Sequence, residues 1–185
     1  MSWFSILKKD NPNEKITISE EVVNEDQLAQ MYKWQDRFTY YPRRPPDEWT
    51  SKKRKKPTNM YSYDPLYVTA QYEGLTVGHS GYTLQNNGGF AVLSGTMVLP
   101  EFRSNASIGT KLREKRQQKI DHLPIIGGFS DNLSKGAWMR GFANMGYMIN
   151  PTDEQLNNAF PKEVVDYHRQ TYGERWAAKL PYKEG

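Results

Sequence analysis

The stretch Val98-Leu99-Pro100-Glu101-Phe102-Arg103-Ser104-Asn105-Ala106-Ser107-Ile108-Gly109-Thr110 decides how this chain is read. Residues 90–99 carry the period of a strand, and Pro100, which has no N–H to give to a neighbour, stops it. After Arg103 come small residues, and then Ile108, Leu112 and Ile120 fall on one side of a highly charged helix expected over 108–120. A strand therefore passes through a short loop into a helix. Helix N-termini carry unpaired N–H groups and about half a positive charge, so a loop of small residues opening a helix can cradle a pyrophosphate. Ser104, Asn105, Ala106, Ser107 and Gly109 permit that close approach, and Arg103 adds a cation. The plainer reading of the same residues is a strand-to-helix turn in which Ser107 caps the helix and Arg103 stays solvated.

Upstream, strand periodicity over 66–72, a turn at Glu73-Gly74, a strand over 75–84 and a second turn at Asn86-Asn87-Gly88-Gly89 lead into the strand at 90–99, an antiparallel meander of three strands. Earlier still, Asn24 with Gln27 forms a capping pattern, and Leu28, Met31, Trp34 and Phe38 follow at helical spacing, so a helix is expected to end before Pro42. Residues 40–65 read as loop because of Pro42, Pro45, Pro46, Pro57 and Pro65. Downstream, a strand is expected over 123–129, a helix over 133–145 with Trp138, Met139, Phe142 and Met145 toward the core, and a brief strand over 147–149. The tail reads as helical, over 153–160 and 163–179, with Val165, Tyr172 and Trp176 roughly aligned.

A chain of 185 residues with net charge +4 is long enough to bury one core, so a single domain with terminal extensions is expected. The absence of cysteine excludes disulfides, thiolate zinc sites and cysteine nucleophiles. His122 and His168 have no acidic or histidine partners at metal-ligand spacing, so no metal is expected. The N-terminal stretch is the reverse of a secretory signal and no segment reaches membrane-spanning length, so a cytoplasmic protein without membrane contact is expected.

The order of elements between about residues 66 and 149 resembles the acyl-CoA-binding core of the GNAT N-acyltransferase superfamily. In that family the fourth strand ends in Val-x-Pro and an arginine follows three residues after the proline; Val98, Pro100 and Arg103 match position for position. The family's next glycines would fall at Ala106 and Ile108. One inserted residue restores Ile108-Gly109 to the family's Ile-Gly, with Ser107 in place of the first glycine. Phe142-Ala143-Asn144-Met145-Gly146-Tyr147 resembles the aromatic-x-x-x-Gly-Phe end of the family's fourth helix. Phe142 stands where many members carry a tyrosine that protonates the departing CoA thiolate.

The resemblance implies an α+β fold, a mixed and mostly antiparallel sheet flanked by helices, here with a helical C-terminal tail. It implies acetyl-CoA as cosubstrate and direct attack by a primary amine of a small molecule or protein. A backbone N–H of Thr96, Met97 or Val98 would polarise the thioester carbonyl. Arg103, Ser104, Asn105, Ala106, Ser107, Ile108, Gly109 and Thr110 would hold the phosphates, Asn132 would approach the pantetheine arm, and Phe142 would lie at the CoA thiolate. The plainer role of Asp131-Asn132 is to cap the helix at Leu133. His79 and Glu101 are the candidate bases for the amine, against the plainer readings of a structural histidine and a solvated carboxylate. The competing class is a GNAT-like binding or assembly protein without catalysis. Lys52-Lys53-Arg54-Lys55-Lys56, with Arg43 and Arg44, reads either as a solvated loop or as a contact for a polyanion such as nucleic acid, with Tyr40, Tyr41, Trp49 and Tyr61 as stacking surfaces. No nucleic-acid motif accompanies the tract.

Overall fold

The computed structural model describes residues 15–33, 64–103, 107–129 and 135–182. The basic tract, Trp34 and Phe38, Ser104 to Ala106 and Asn132 lie outside the described residues. The strands are β1 (Ile16–Ile18), β2 (Val23–Asn24), β3 (Leu66–Tyr72), β4 (Leu75–Gln85), β5 (Phe90–Val98), β6 (Ile125–Gly128), β7 (Met148–Ile149) and β8 (Trp176–Lys179). The helices are α1 (Glu25–Lys33), α2 (Ile108–Ile120), α3 (Lys135–Asn144), α4 (Asp153–Leu156) and α5 (Lys162–Tyr172), with a 3-10 turn at Pro100–Phe102. They build one mixed sheet in the order β1-β3-β4-β5-β6-β8-β7, with β2 also on β3. β5 and β6 run parallel, and β1, β2, β7 and β8 pair antiparallel with their neighbours.

The meander follows from its turn residues. Glu73 and Gly74 both take positive φ, 49° and 79°, as a two-residue hairpin with the right twist requires. Asn86, Asn87 and Gly88 share that half of backbone space, and Gly89 N–H closes the second turn on Gln85 O at 2.8 Å.

The described residues fall into two compact units, and β4 and β5 contribute to both. The first comprises residues 15–33, 64–81, 95–103 and 107–118. Its α1 starts on a reciprocal cap: Gln27 N–H donates to Asn24 Oδ1 and Asn24 N–H to Gln27 Oε1, both at 2.9 Å. That cap replaces two of the partners a helix start lacks, and Leu28, Ala29 and Tyr32 of α1 are buried. Ile108 and Leu112 of α2 belong to the same core as Val68, Tyr72 and Phe102. Each such buried aliphatic side chain contributes roughly 1.5–3 kcal/mol. Gly78 allows the close approach, because a Cβ there would stand 2.9 Å from Met97 O and 3.0 Å from Leu112 Cδ1.

The second unit comprises residues 82–94, 119–129 and 135–182, and here the expected helical tail is corrected. The helix expected over 153–160 ends at Leu156, because Asn157 and Asn158 are both left-handed, at φ 49° and 57°. The helix expected over 163–179 ends at Tyr172, where Gly173 turns the chain with φ 59°. Trp176 to Lys179 then forms β8, between β6 and β7. Trp176, Ala177 and Ala178 are all buried, so consecutive residues of β8 are covered on both faces, an environment open to an interior strand. The last antiparallel pair is therefore neither lost nor replaced: β7 and β8 are joined through α4 and α5.

Candidate functional site

In the first unit, the end of β5, the 3-10 turn and the start of α2 meet around a pocket of about 230 Å³. Val98, Phe102, Arg103, Ser107, Ile108, Gly109, Thr110 and Arg113 line it. Arg103 Nε donates to Val98 O at 2.9 Å, and Arg113 Nη2 donates to Thr110 Oγ1 at 3.2 Å. Burial pulls the Arg113 pKa down, opposed by the carboxylate of Glu114, but a guanidinium starts so high that it keeps its charge. Two cations thus border the helix start, where backbone N–H groups have no intrahelical acceptor. Arg113 was missed at the sequence level, although it lies one helical turn beyond Gly109 and Thr110.

Ser107 has φ 94°, and its carbonyl accepts from Lys111 N–H at 2.7 Å, so it is the last residue before α2 and sits in a glycine's conformation. A side chain held there costs on the order of 1–3 kcal/mol. The residue that stands in for the missing glycine keeps the backbone path a glycine would take.

Which amides of β5 are available follows from its pairing. Ala91 N–H donates to Pro124 O at 2.9 Å and Ala91 pairs with Ile125 of β6. Ala91 therefore faces away from β4, and Val92 faces it. Farther along, Leu99 N–H donates to Val77 O at 2.8 Å, so Leu99 and, two residues before it, Met97 face β4 too. Positions that face the same neighbour are an even number of residues apart, and Val92 and Met97 are not. One residue between them is left out of the ladder, which is a β-bulge. Gly95, in that interval, is exposed. The backbone groups of Thr96 and Val98 consequently point away from β4, in keeping with Arg103 reaching Val98 O. Met97 N–H is turned into the ladder, whereas the amides of Thr96 and Val98 are not.

His79 is a core histidine. It is 7% exposed, the Tyr32 hydroxyl lies 3.1 Å from its Nδ1, and the Tyr32 and Tyr67 rings meet it edge-on at 5.7 and 5.3 Å. Burial pushes its pKa down to about 3. The imidazole is neutral at neutral pH and weakly basic, which argues against the expected catalytic role. Glu101 sits in the 3-10 turn, half-buried, and its Oε2 is enclosed without a hydrogen-bond partner among the described residues.

In the second unit, Phe142 is 3% exposed and packs on Phe129 and Tyr147, with ring centroids 4.7 and 4.9 Å away. Trp138 stacks on Phe129 at 4.1 Å. α3 ends as its sequence suggests, with Gly146 at φ 86° and Tyr147 N–H donating to Phe142 O at 3.0 Å, an arrangement that satisfies last-turn carbonyls. His168 is buried, with Nδ1 2.8 Å from Val164 O. Among the described residues no group of three or more His, Asp or Glu side chains is placed to hold a metal ion, and no helix is long and apolar enough to cross a membrane.

No protein-family model matches the sequence, and no curated protein matches it. Solved structures do match. The ribosomal-protein-S18-alanine N-acetyltransferase from Escherichia coli superposes with TM-score 0.55 at 12% identity, covering 92% of this chain and 96% of that one. N-acetylglutamate synthase from Neisseria gonorrhoeae, complexed with coenzyme A and L-arginine, superposes with TM-score 0.51 at 11% identity, covering 91% of this chain and 34% of that one. This chain thus spans about a third of that synthase. An acetyltransferase of GNAT family from Staphylococcus aureus Mu50 is matched at TM-score 0.45 and 18% identity, over 88% and 98% of the two chains. The likeness to the first two, at 12% and 11% identity, establishes the fold alone.

Two outcomes follow from the geometry. Ser107→Gly relieves the strained φ and raises stability by about 0.5–1 kcal/mol, measured by chemical denaturation, whereas an unchanged or lower midpoint would show that the serine side chain stabilises this start of α2. His79 gives a pH signature. The unfolded chain takes up its proton near 6.5 and the folded chain only near 3, so its contribution is complete above 6.5 and is lost as pH falls through that window, at up to about 1.4 kcal/mol per unit. The stability gap between wild type and His79→Gln narrows over that range; parallel curves would contradict the assignment.

Proposed function

Starting from the GNAT acetyltransferase fold, we propose that this chain binds acetyl-CoA and transfers its acetyl group to a primary amine by direct attack. The observation that carries the reading is the start of α2, where Ser107 holds a glycine's backbone geometry beside Arg103 and Arg113. A non-glycine residue in that conformation costs stability, and a built anion cradle gives the cost a purpose. The synthase that shares the fold was crystallised with coenzyme A, which supports the same ligand class here.

In this reading the N–H groups of Ile108, Gly109 and Thr110, with the Arg103 and Arg113 guanidinium groups, hold the pyrophosphate. Acetyl-CoA supplies an activated acyl carbon and a thiolate leaving group. The amide of Thr96 or Val98 donates to the acyl oxygen, a contribution that depends on direction alone and needs no particular side chain. The amine nitrogen bonds to the acyl carbon as the C–S bond breaks, and the amine's proton passes to a base. Glu101 is the base favoured here, because burial leaves His79 a weak base. Phe142 has no proton to give, so water or a neighbouring tyrosine protonates the thiolate.

The second reading, a GNAT-like scaffold that binds without catalysis, is favoured by Phe142 and by the low basicity of His79. Asn132 and the basic tract enter neither reading through the described structure.

Gly109→Glu tests the pocket. A Cβ on Gly109 stands 3.4 Å from Arg113 Nη1 and 3.8 Å from Val98 Cγ2, so a carboxylate there fits sterically and occupies the anion's place. Calorimetry is expected to show acetyl-CoA binding by wild type and none by the folded variant; equal binding would remove this pocket from the site. Phe142→Tyr separates the two readings. An enzyme gains or keeps turnover on its amine, with general-acid help worth up to about 10² to 10⁴, whereas a scaffold shows no turnover in either form.

A further inference from the structure

Arg116 is a charged group that the reading above leaves unused. Charged side chains are rarely enclosed unless their hydrogen bonds are met, yet Arg116 is 3% exposed. It belongs to the stripe of α2 formed by Ile108, Leu112 and Ile120, all buried, one turn beyond Leu112, whose Cδ1 nearly touches Gly78. From there its Nη1 donates to Gly81 O of β4 at 3.0 Å. Val77 lies opposite Leu99, and Ser80 Oγ lies 2.6 Å from Thr96 Oγ1, so this register sets Gly81 opposite Gly95. That is the edge of the interval in which β5 carries its extra residue. A bulge disrupts the regular ladder partners beside it, and a buried carbonyl there needs a donor from elsewhere.

We infer that Arg116 is a positioning residue that holds the register shift in β5 and thereby keeps the Thr96 and Val98 amides turned away from β4. The guanidinium fastens β4 at Gly81 from the helix side, so the extra residue of β5 stays between Val92 and Met97. Were the bulge to move past Val98, Thr96 and Val98 would turn into the ladder and Met97 out of it, because a one-residue slip reverses the direction of every group. The catalytic consequence rests on the proposed acetyl transfer, whereas the backbone consequence does not.

Arg116→Met, which keeps the apolar stem and removes the donors, and Arg116→Lys, which keeps the charge and loses the fork, test this. The first readout is amide hydrogen exchange in the free protein. Wild type is expected to show Met97 protected and Thr96 and Val98 fast, with the contrast diminished or inverted in the Met variant and partly kept in the Lys variant. The second readout is kinetic: kcat falls about 10²-fold in the Met variant, as misplacement of a reacting geometry does, with KM for acetyl-CoA nearly unchanged. A folded Met variant with the wild-type exchange pattern would overturn the inference, reducing Arg116 to packing. If the Met variant does not fold, the Lys variant decides by the same criterion, wild-type exchange with wild-type kcat overturning it. Should wild type fail to bind acetyl-CoA, the proposed function falls while the exchange data still decide the role of Arg116.

Discussion

One extra residue in β5, between Val92 and Met97, is the constraint on which the rest of the candidate site depends. It turns Thr96 and Val98 outward from β4 and leaves the Val98 carbonyl free to accept from Arg103. Leu99 returns to the ladder by donating to Val77, which sets the direction in which Pro100–Phe102 leaves the strand. Phe102 then enters the core against Tyr72, at a ring separation of 5.4 Å, and α2 starts from the left-handed Ser107. The helix is pressed on β4 at Gly78 by Leu112, so its first turn and the end of β5 border the same pocket. A displaced bulge would alter the donor direction and the loop anchor together.

The second unit is held by different means. β8 pairs with β6 along its length and with β7 on its other side, and the connection through α4 and α5 is pinned by Arg169. Its Nη1 lies 2.6 Å from Asp153 Oδ1, its Nη2 donates to Pro151 O at 3.1 Å, and its guanidinium lies 5.6 Å from the Trp176 ring centroid. Exposed ion pairs contribute little, so the aromatic face and the carbonyl matter more than the carboxylate. α5 approaches β6 closely at Gly128, where a Cβ would overlap the Tyr172 ring at 2.0 Å. Phe142 and Tyr147 meet edge to face in this unit, and burial among aromatic rings explains Phe142 as packing whatever its chemistry.

Much of the fold was legible because its signals are local. The turns at Glu73-Gly74 and Asn86-Gly89, the cap at Asn24 and Gln27, and the span of α2 all appear where residue chemistry placed them. The tail was not legible. Trp176 aligns with Val165 and Tyr172 at helical spacing, and only partners distant in sequence, β6 and β7, make it a strand. Ser107 was identified as a glycine substitute from the motif alone, but its φ belongs to the structure. The bulge is a relation between strands, so neither it nor the opposite directions of Thr96 and Val98 against Met97 are written in one segment. Arg116 sits in the four-residue period of Ile108, Leu112 and Ile120, a signal that was present and obscured by the charge density of α2. His79 shows the opposite case: its residue type suggested a base, and two tyrosine rings and burial make it part of the core.

The most direct test of the account is an amide NMR titration of isotope-labelled protein with acetyl-CoA, observing the first turn of α2 and β5 together. The account predicts saturable shifts at Ser107, Ile108, Gly109 and Thr110 and at Thr96 or Val98, with Met97, whose amide lies in the ladder, least affected in β5. Saturable binding whose shifts spare the start of α2, or the absence of any shift at millimolar acetyl-CoA, would contradict it.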